Sequence, residues 1–120
     1  MKWSDIERLE LDPDEWDLLF WNVANEVING FKVNDFEKAI GASEQQVKTI
    51  ANHMRAMPKN SPIIIDRNQA LIFRNALAIV LKELGIDEFH TRTGCDFELG
   101  RQRIQQMDQF LGENSPEERT

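Results

Sequence analysis

The strongest constraint on the fold of this chain is that its sequence aligns with itself, without gaps, at an offset of 53 residues. The apolar, glycine and helix-capping residues follow one another in the same order in both halves. The identical pairs are Leu18 and Leu71, Phe20 and Phe73, Asn22 and Asn75, Val27 and Val80, Phe36 and Phe89, Gly41 and Gly94, and Met54 and Met107. The sequence therefore predicts two copies of one structural unit.

Each copy has the pattern of a long helix, a corner with a glycine turn, and a second helix. In the first copy, Asp12 is a candidate N-cap, Pro13 suits the first helical position, and Glu15 completes a capping-box pattern. Gly30 is placed to end this helix. The apolar residues between them recur at helical spacing: Trp16, Leu19, Phe20, Val23 and Val27.

The other helices carry similar signals. Asp66 with Gln69 begins the long helix of the second copy, which Gly85 is placed to end, and Ser43 with Gln46 begins the second helix of the first copy. We predict an all-α fold in which the two repeats pack about a pseudo-twofold axis, and Ile63 to Ile65 is compatible with a short extended segment. The predicted divisions are one helical domain 1–111 (repeat one 11–57, linker 58–62, repeat two 63–111) and a flexible polar tail 112–120.

The charge of the chain is acidic and unevenly distributed. The net charge is −7, with −6 in residues 1–30, +2 in residues 31–61 and −3 in residues 96–120. Because phosphate neutralisation requires clustered Lys and Arg, we do not expect this chain to bind nucleic acid. No apolar run approaches the roughly 20 residues of a membrane helix, so we expect no membrane association.

The cysteine and histidine content limits metal and redox chemistry. A single cysteine, Cys95, excludes an intramolecular disulfide and a zinc site built from cysteines, and it favours a reducing, cytoplasmic setting. His53 and His90 are the only histidines, and neither belongs to a ligand-spaced motif. We therefore predict no metal and no cofactor.

The most specific local pattern spans residues 36–50. Ile40, the turn glycine Gly41, the cap Ser43, Val47 and Ile50 have the spacing of a tight helical corner. This pattern resembles the helix-turn-helix of bacterial DNA-binding regulators, in which early residues of the second helix touch base edges. The resemblance implies that the contacting residues here would be Glu44, Gln45, Gln46 and Lys48. The alternative is an ordinary helical corner built for packing.

The second corner holds the polar cluster closest to an enzyme site. It contains Glu88, His90, Arg92, Cys95 and Asp96. A cysteine nucleophile needs an oriented base, and no third orienting group is identifiable in this cluster. At the offset of 53, Cys95 matches Ala42, which favours a packed thiol. His90 and Arg92 could instead bind a partner carboxylate or an anion, or Arg92 could pair locally with Glu88.

Two asparagines are unusual because asparagine is a poor residue for a helix interior. Asn22 and Asn75 occupy matching mid-helix positions beside apolar residues. We predict that both have a structural role, each donating hydrogen bonds to main-chain atoms of its own corner, residues 33–36 and 86–89.

These observations predict a non-enzymatic protein–protein interaction module with a basic partner. Its acidic docking face would lie in residues 5–17 and centre on Asp12, Asp14, Glu15 and Asp17, together with His90 and Arg92. Small acidic helical inhibitors and immunity-like proteins share this composition. The alternatives are a DNA-binding regulator that uses residues 36–54 and a small-molecule sensor with a pocket between the repeats. A homodimer is left open.

Overall fold

A computed structural model of the chain describes residues 2–3, 8–58 and 61–113. Within these ranges the backbone is mostly helical, as predicted. The elements, in chain order, are β1 (Lys2–Trp3), β2 (Arg8–Leu11), α1 (13–30), α2 (Phe36–Ile40), α3 (Glu44–Arg55), β3 (Ile63–Asp66), α4 (Arg67–Thr93) and α5 (Phe97–Glu113). Helix α5 extends past the predicted start of the tail at residue 112. Residues 59–60 of the predicted linker and residues 114–120 of the tail lie outside the described residues.

A small antiparallel sheet departs from the all-α prediction. The strand order is β1-β2-β3, and β2 pairs with β3 so that Leu9 faces Ile65 and Leu11 faces Ile63. These four side chains are buried, while the alternate residues of β3 point away from the core. Strands of four residues give only two repeats of the alternating pattern, too few for the sequence to indicate β2. The predicted extended segment 63–65 lies within β3.

Helix α1 is continuous but changes its winding three times. Residues Trp16–Phe20 and Glu26–Gly30 are π-helical, whereas Pro13–Glu15 and Trp21–Asn25 are α-helical. The helix ends at Gly30, as predicted. A Cβ atom at this position would overlap the carboxylate of Glu26, so a larger residue here would require that buried side chain to move.

Three glycines with positive φ shape the corners. Gly41 (φ 99°) ends α2 and Gly94 (φ 75°) ends α4, each in the left-handed conformation that favours glycine. Gly85 (φ 72°) interrupts α4, so that residues 67–84 and 86–93 form two helical segments joined at a kink. The sequence correctly predicted Gly85 as the end of the long helix, and Gly41 and Gly94 are 53 residues apart.

One hydrophobic core joins the first half of the chain to the second. Trp16 and Phe20 of α1 both contact Phe73 of α4 edge-on, with ring centroids 5.2 and 6.1 Å apart. Edge-to-face pairs of this kind add about 0.5–1.5 kcal/mol to the burial of the rings. Helix α5 crosses α4 closely at Gly100, where a Cβ atom would lie 2.9 Å from a methyl carbon of Leu81.

The two mid-helix asparagines connect the halves rather than their own corners. The side-chain amide of Asn22 donates to the carbonyl oxygens of Leu18 at 2.8 Å and Thr93 at 3.3 Å, and that of Asn75 donates to the carbonyl oxygen of Ile40 at 3.0 Å. The predicted structural role is therefore consistent with these contacts, but the predicted acceptors were wrong. The acceptors in the opposite half, Thr93 and Ile40, are the last helical residues before Gly94 and Gly41, where a carbonyl group lacks its partner within the helix.

Candidate functional site

Residues 12–17, at the start of α1, include four acidic residues that have two different environments. Asp12, Asp14 and Asp17 are exposed, and none of them makes an ion pair with another described residue. Glu15 is largely buried and pairs with Arg103 of α5. Asp5 and Glu7 of the predicted docking face lie outside the described residues. We call the three exposed carboxylates, Asp12, Asp14 and Asp17, the acidic turn.

The capping box predicted at this helix start is absent. Asp12 has an extended N-cap conformation, but its side chain accepts no capping hydrogen bond. Glu15 is directed toward Arg103 and does not complete the box. The two other predicted boxes, Ser43 with Gln46 and Asp66 with Gln69, are present with reciprocal hydrogen bonds. In both of these the third helical residue is a neutral glutamine, which has no buried cation to pair with.

Two polar side chains of the 86–96 corner, those of Arg92 and Thr93, make contacts within the protein. Arg92 places its Nε 3.2 Å from Oε1 of Glu26 and donates from Nη2 to the carbonyl oxygen of Gly30 at 3.4 Å. The local pairing of Arg92 with Glu88 that the sequence suggested is not the contact observed. The hydroxyl of Thr93 is buried and donates to the carbonyl oxygen of Phe89 at 2.7 Å. His90 is exposed and therefore accessible to a partner.

Cys95 is a packed thiol directly after the second glycine turn. Its side chain is only 6% exposed and its Sγ donates to the carbonyl oxygen of Leu18 at 3.5 Å. Burial is the main cause that raises the pKa of the Cys95 thiol, and the neighbouring Asp96 carboxylate raises it further, against a hydrogen bond from Thr93 that lowers it. A raised pKa reduces the thiolate fraction at neutral pH, which disfavours a nucleophilic role.

The 36–54 corner presents the four residues implied by the helix-turn-helix resemblance, but two of the amides are already engaged. Glu44, Gln45, Gln46 and Lys48 are all exposed. Gln46 accepts the backbone N–H of Ser43 as part of the capping box, and Gln45 donates to the hydroxyl of Thr49 at 3.3 Å. A bidentate contact with adenine would require either glutamine to give up its bond.

A cleft lies between the start of α1 and the end of α3. It has a volume of about 330 Å³ and is lined by Trp16, Trp21, Asp17, Met54, Arg55 and Met57. The guanidinium carbon of Arg55 lies 4.2 Å from the ring centroid of Trp21, so a cation already covers one face of that ring. Asp17 belongs to both the cleft and the acidic turn, which makes the two features continuous.

A second, more open groove lies between α3 and the start of α4. Its volume is about 350 Å³ and its lining contains only uncharged residues, among them Ala42, Gln45, Thr49, Ile50, Asn68 and Ile72. We call this feature the uncharged groove. Of the polar lining residues, Gln45 was a candidate contact residue from the sequence, whereas Thr49 and Asn68 were not. Isolated Thr and Asn residues near a helix start are common, so they give no spacing pattern that predicts a site.

The described residues contain neither a metal-binding cluster nor a membrane-spanning helix. In the described ranges, no group of three or more His, Cys, Asp or Glu side chains is arranged to hold a metal ion. None of the helices described is both long enough and apolar enough to cross a bilayer. No protein-family model, curated protein or solved structure matches this chain.

Proposed function

We propose that this chain is a protein-docking module that binds a basic partner through the acidic turn. The observation that carries the proposal is the contrast between Glu15 and its neighbours. The buried pair of Glu15 with Arg103 fixes the turn against α5, while Asp12, Asp14 and Asp17 point into solvent without ion-pair partners among the described residues. Carboxylates held on a rigid turn lose little conformational entropy when they bind a cationic surface.

The surroundings of the acidic turn support docking. Leu18, which directly follows Asp17, is 57% exposed, and Met57 in the adjoining cleft is 42% exposed. Apolar contact area beside a charged rim is the usual arrangement of a protein interface. In this proposal the module acts in the cytoplasm as an inhibitor or immunity-like binder and catalyses no reaction. His90 and Arg92 remain predicted secondary contacts.

We also propose that the two halves are copies of one unit, related by a pseudo-twofold axis. The asparagine contacts support this proposal, because Asn22 and Asn75 are 53 residues apart and so are their acceptors, Thr93 and Ile40. A second correspondence supports it. Arg55 covers Trp21 in the first half, and at the matched positions Asp108 pairs with Arg74 at 2.7 Å.

A binding assay with synthetic peptides tests the docking proposal. The probe is an arginine-rich amphipathic helical peptide, with a glutamate-rich peptide of the same design as the control, measured by fluorescence anisotropy at low and physiological salt. We expect the wild-type chain to bind only the arginine-rich peptide, with an affinity that falls as salt rises. Changing Asp12, Asp14 and Asp17 together to Asn should weaken binding by about tenfold, since three exposed ion pairs are worth about 0.5 kcal/mol each.

The matched control removes the same charge elsewhere. Glu83, Asp87 and Glu88 are also exposed, and changing them to Gln, Asn and Gln alters the net charge by the same amount. This control variant should lose less than about twofold in affinity, because long-range attraction is screened beyond about 10 Å. Equal losses in the two variants would show diffuse electrostatic attraction and would overturn the assignment of the acidic turn.

A further inference from the structure

The position that matches the uncharged groove in the other half of the molecule is filled by side chains. At the offset of 53, the groove residues Asn68 and Ile50 match Glu15 and Arg103. Glu15 and Arg103 meet as a largely buried ion pair, with side chains only 10% and 21% exposed. Asn68 and Ile50 are shorter and cannot form such a pair, and a groove of about 350 Å³ lies between their helices.

The lining of the groove defines its chemistry. Charged residues make up 29% of the chain, yet the groove is lined by none. Ala42 and Ile72 are 5% and 2% exposed and, with Ile50, provide an apolar floor. Gln45, Thr49 and Asn68 provide amide and hydroxyl groups at the same site. No charged group of the lining would compensate an ionised ligand, which favours a neutral one.

The hydrogen-bonding capacity at the groove is complementary to an amide. Gln45 uses its Nε2 to donate to Thr49, which leaves its carbonyl oxygen as an acceptor. The side chain of Asn68 makes no hydrogen bond with another described residue, so it offers both a carbonyl oxygen and an N–H₂ group. Acceptor and donor groups beside an apolar floor match a ligand that carries one uncharged amide on an apolar body.

We infer that the uncharged groove is a binding site for a small neutral molecule of this class, an apolar body with a carboxamide group. Its volume is at the lower end of the range of about 300–1,000 Å³ that small-molecule sites occupy. The cavity and its lining carry the inference. The proposed repeat explains only why the groove is open here and closed in the other half. The site is separate from the acidic turn, so it adds a ligand to the proposed docking module.

Three ring compounds of similar size test the ligand class. Benzamide is the neutral probe, and benzoate and benzylammonium replace its amide with an anion and a cation. Binding is followed by NMR shifts of the side-chain amides of Gln45 and Asn68 and of the methyl groups of Ile50 and Ile72. We expect saturable shifts with benzamide at a Kd on the order of millimolar, as for other fragments, and at least about tenfold weaker binding of both ions. Equal binding of benzoate, or no saturable shift with benzamide, would overturn the inference.

A paired substitution closes the groove by copying the other half. Changing Ile50→Arg and Asn68→Glu introduces the residues that form the buried pair at the matched positions. We expect this variant to lose benzamide binding by at least about tenfold. The matched control places the same two charges on exposed residues away from the groove, as Thr91→Arg and Gln105→Glu, and should bind benzamide as the wild type does. Unchanged binding in the groove variant would contradict the assignment.

A milder variant keeps the test valid if the paired substitution impairs folding. Changing Gln45→Leu, Thr49→Val and Asn68→Leu together keeps side chains of similar size in the groove but removes its three polar groups. This variant should lose the preference for benzamide over ethylbenzene, a purely apolar ring of similar size, and a retained preference would contradict the inference. Binding of the arginine-rich peptide should be the same in all groove variants, so that failure of this inference and failure of the docking proposal are distinguishable.

Discussion

Two kinds of contact between the halves of the molecule differ in whether both halves use the same residues. The contacts to the corner backbone use the same residue in both halves, Asn22 and Asn75, and acceptors at matched positions. The side-chain contacts at the helix starts differ, because Glu15 and Arg103 form a buried pair where Asn68 and Ile50 border a groove. In both halves a main-chain carbonyl at a helix end needs a hydrogen-bond donor. The helix interface that the Glu15–Arg103 pair fills, the filled boundary, has no such requirement. Its counterpart beside Asn68 and Ile50, the open boundary, can therefore hold a groove without a change in the backbone.

The largest expected loss of stability is at the filled boundary, where Glu15 pairs with Arg103. Arg103→Met should destabilise the protein by about 3 kcal/mol, because breaking a buried ion pair leaves the Glu15 carboxylate without its guanidinium. Ile50→Met at the open boundary should cost less than about 1.5 kcal/mol, as expected for a volume-conserving apolar change. Urea unfolding followed by circular dichroism measures both. Similar costs for the two variants would show that the boundaries do not differ energetically.

An intermediate effect is expected at the shared contacts. Asn22→Ala and Asn75→Ala should each cost about 1–3 kcal/mol, because each leaves a part-buried carbonyl at a helix end without its donor. The two costs should agree within about 0.5 kcal/mol if the contacts are equivalent, which sharpens the repeat proposal. Asn29→Ala is the control, because Asn29 is an exposed α1 residue that bonds only to Asn25 among the described residues. A loss of stability in only one of the two variants would argue against equivalence.

Local backbone features could be predicted from the sequence, and contacts between distant residues could not. The caps at Ser43 and Asp66 and the break at Gly85 depend on a few neighbouring residues, and the structure has them where they were predicted. The second acceptor of Asn22, the carbonyl oxygen of Thr93, lies 71 residues away in the chain, so no local pattern could identify it. The partner of Arg92, Glu26 of the opposite half, could not be predicted either, because it is also distant in the chain.

The candidate sites show the same division. Asp12, Asp14 and Asp17 are exposed, and the sequence indicated them as a docking face through their acidic charge. It could not separate Glu15 from them, because the burial of Glu15 depends on Arg103 in a distant helix. The uncharged groove exists because the side chains of Asn68 and Ile50 do not fill the space between their helices. Unfilled space depends on how distant helices pack, so no local sequence pattern predicts it.

The smallest expected effect is at Cys95 and its match Ala42, which are 6% and 5% exposed. Because the matched position holds alanine, Cys95→Ala should cost only about 1 kcal/mol. Burial raises the pKa of the Cys95 thiol, so folding favours the protonated form, and the stability that this gives is lost as pH rises above the ordinary thiol range near about 8.5. The chain has no tyrosine to titrate in the same range, so the unfolding free energy of Cys95→Ala should fall less steeply between about pH 8 and 10 than that of the wild type.

A thiol reagent should label Cys95 of the native protein far more slowly than Cys95 of the unfolded chain. Rapid stoichiometric labelling at neutral pH would instead indicate an exposed thiolate and revive a nucleophilic role.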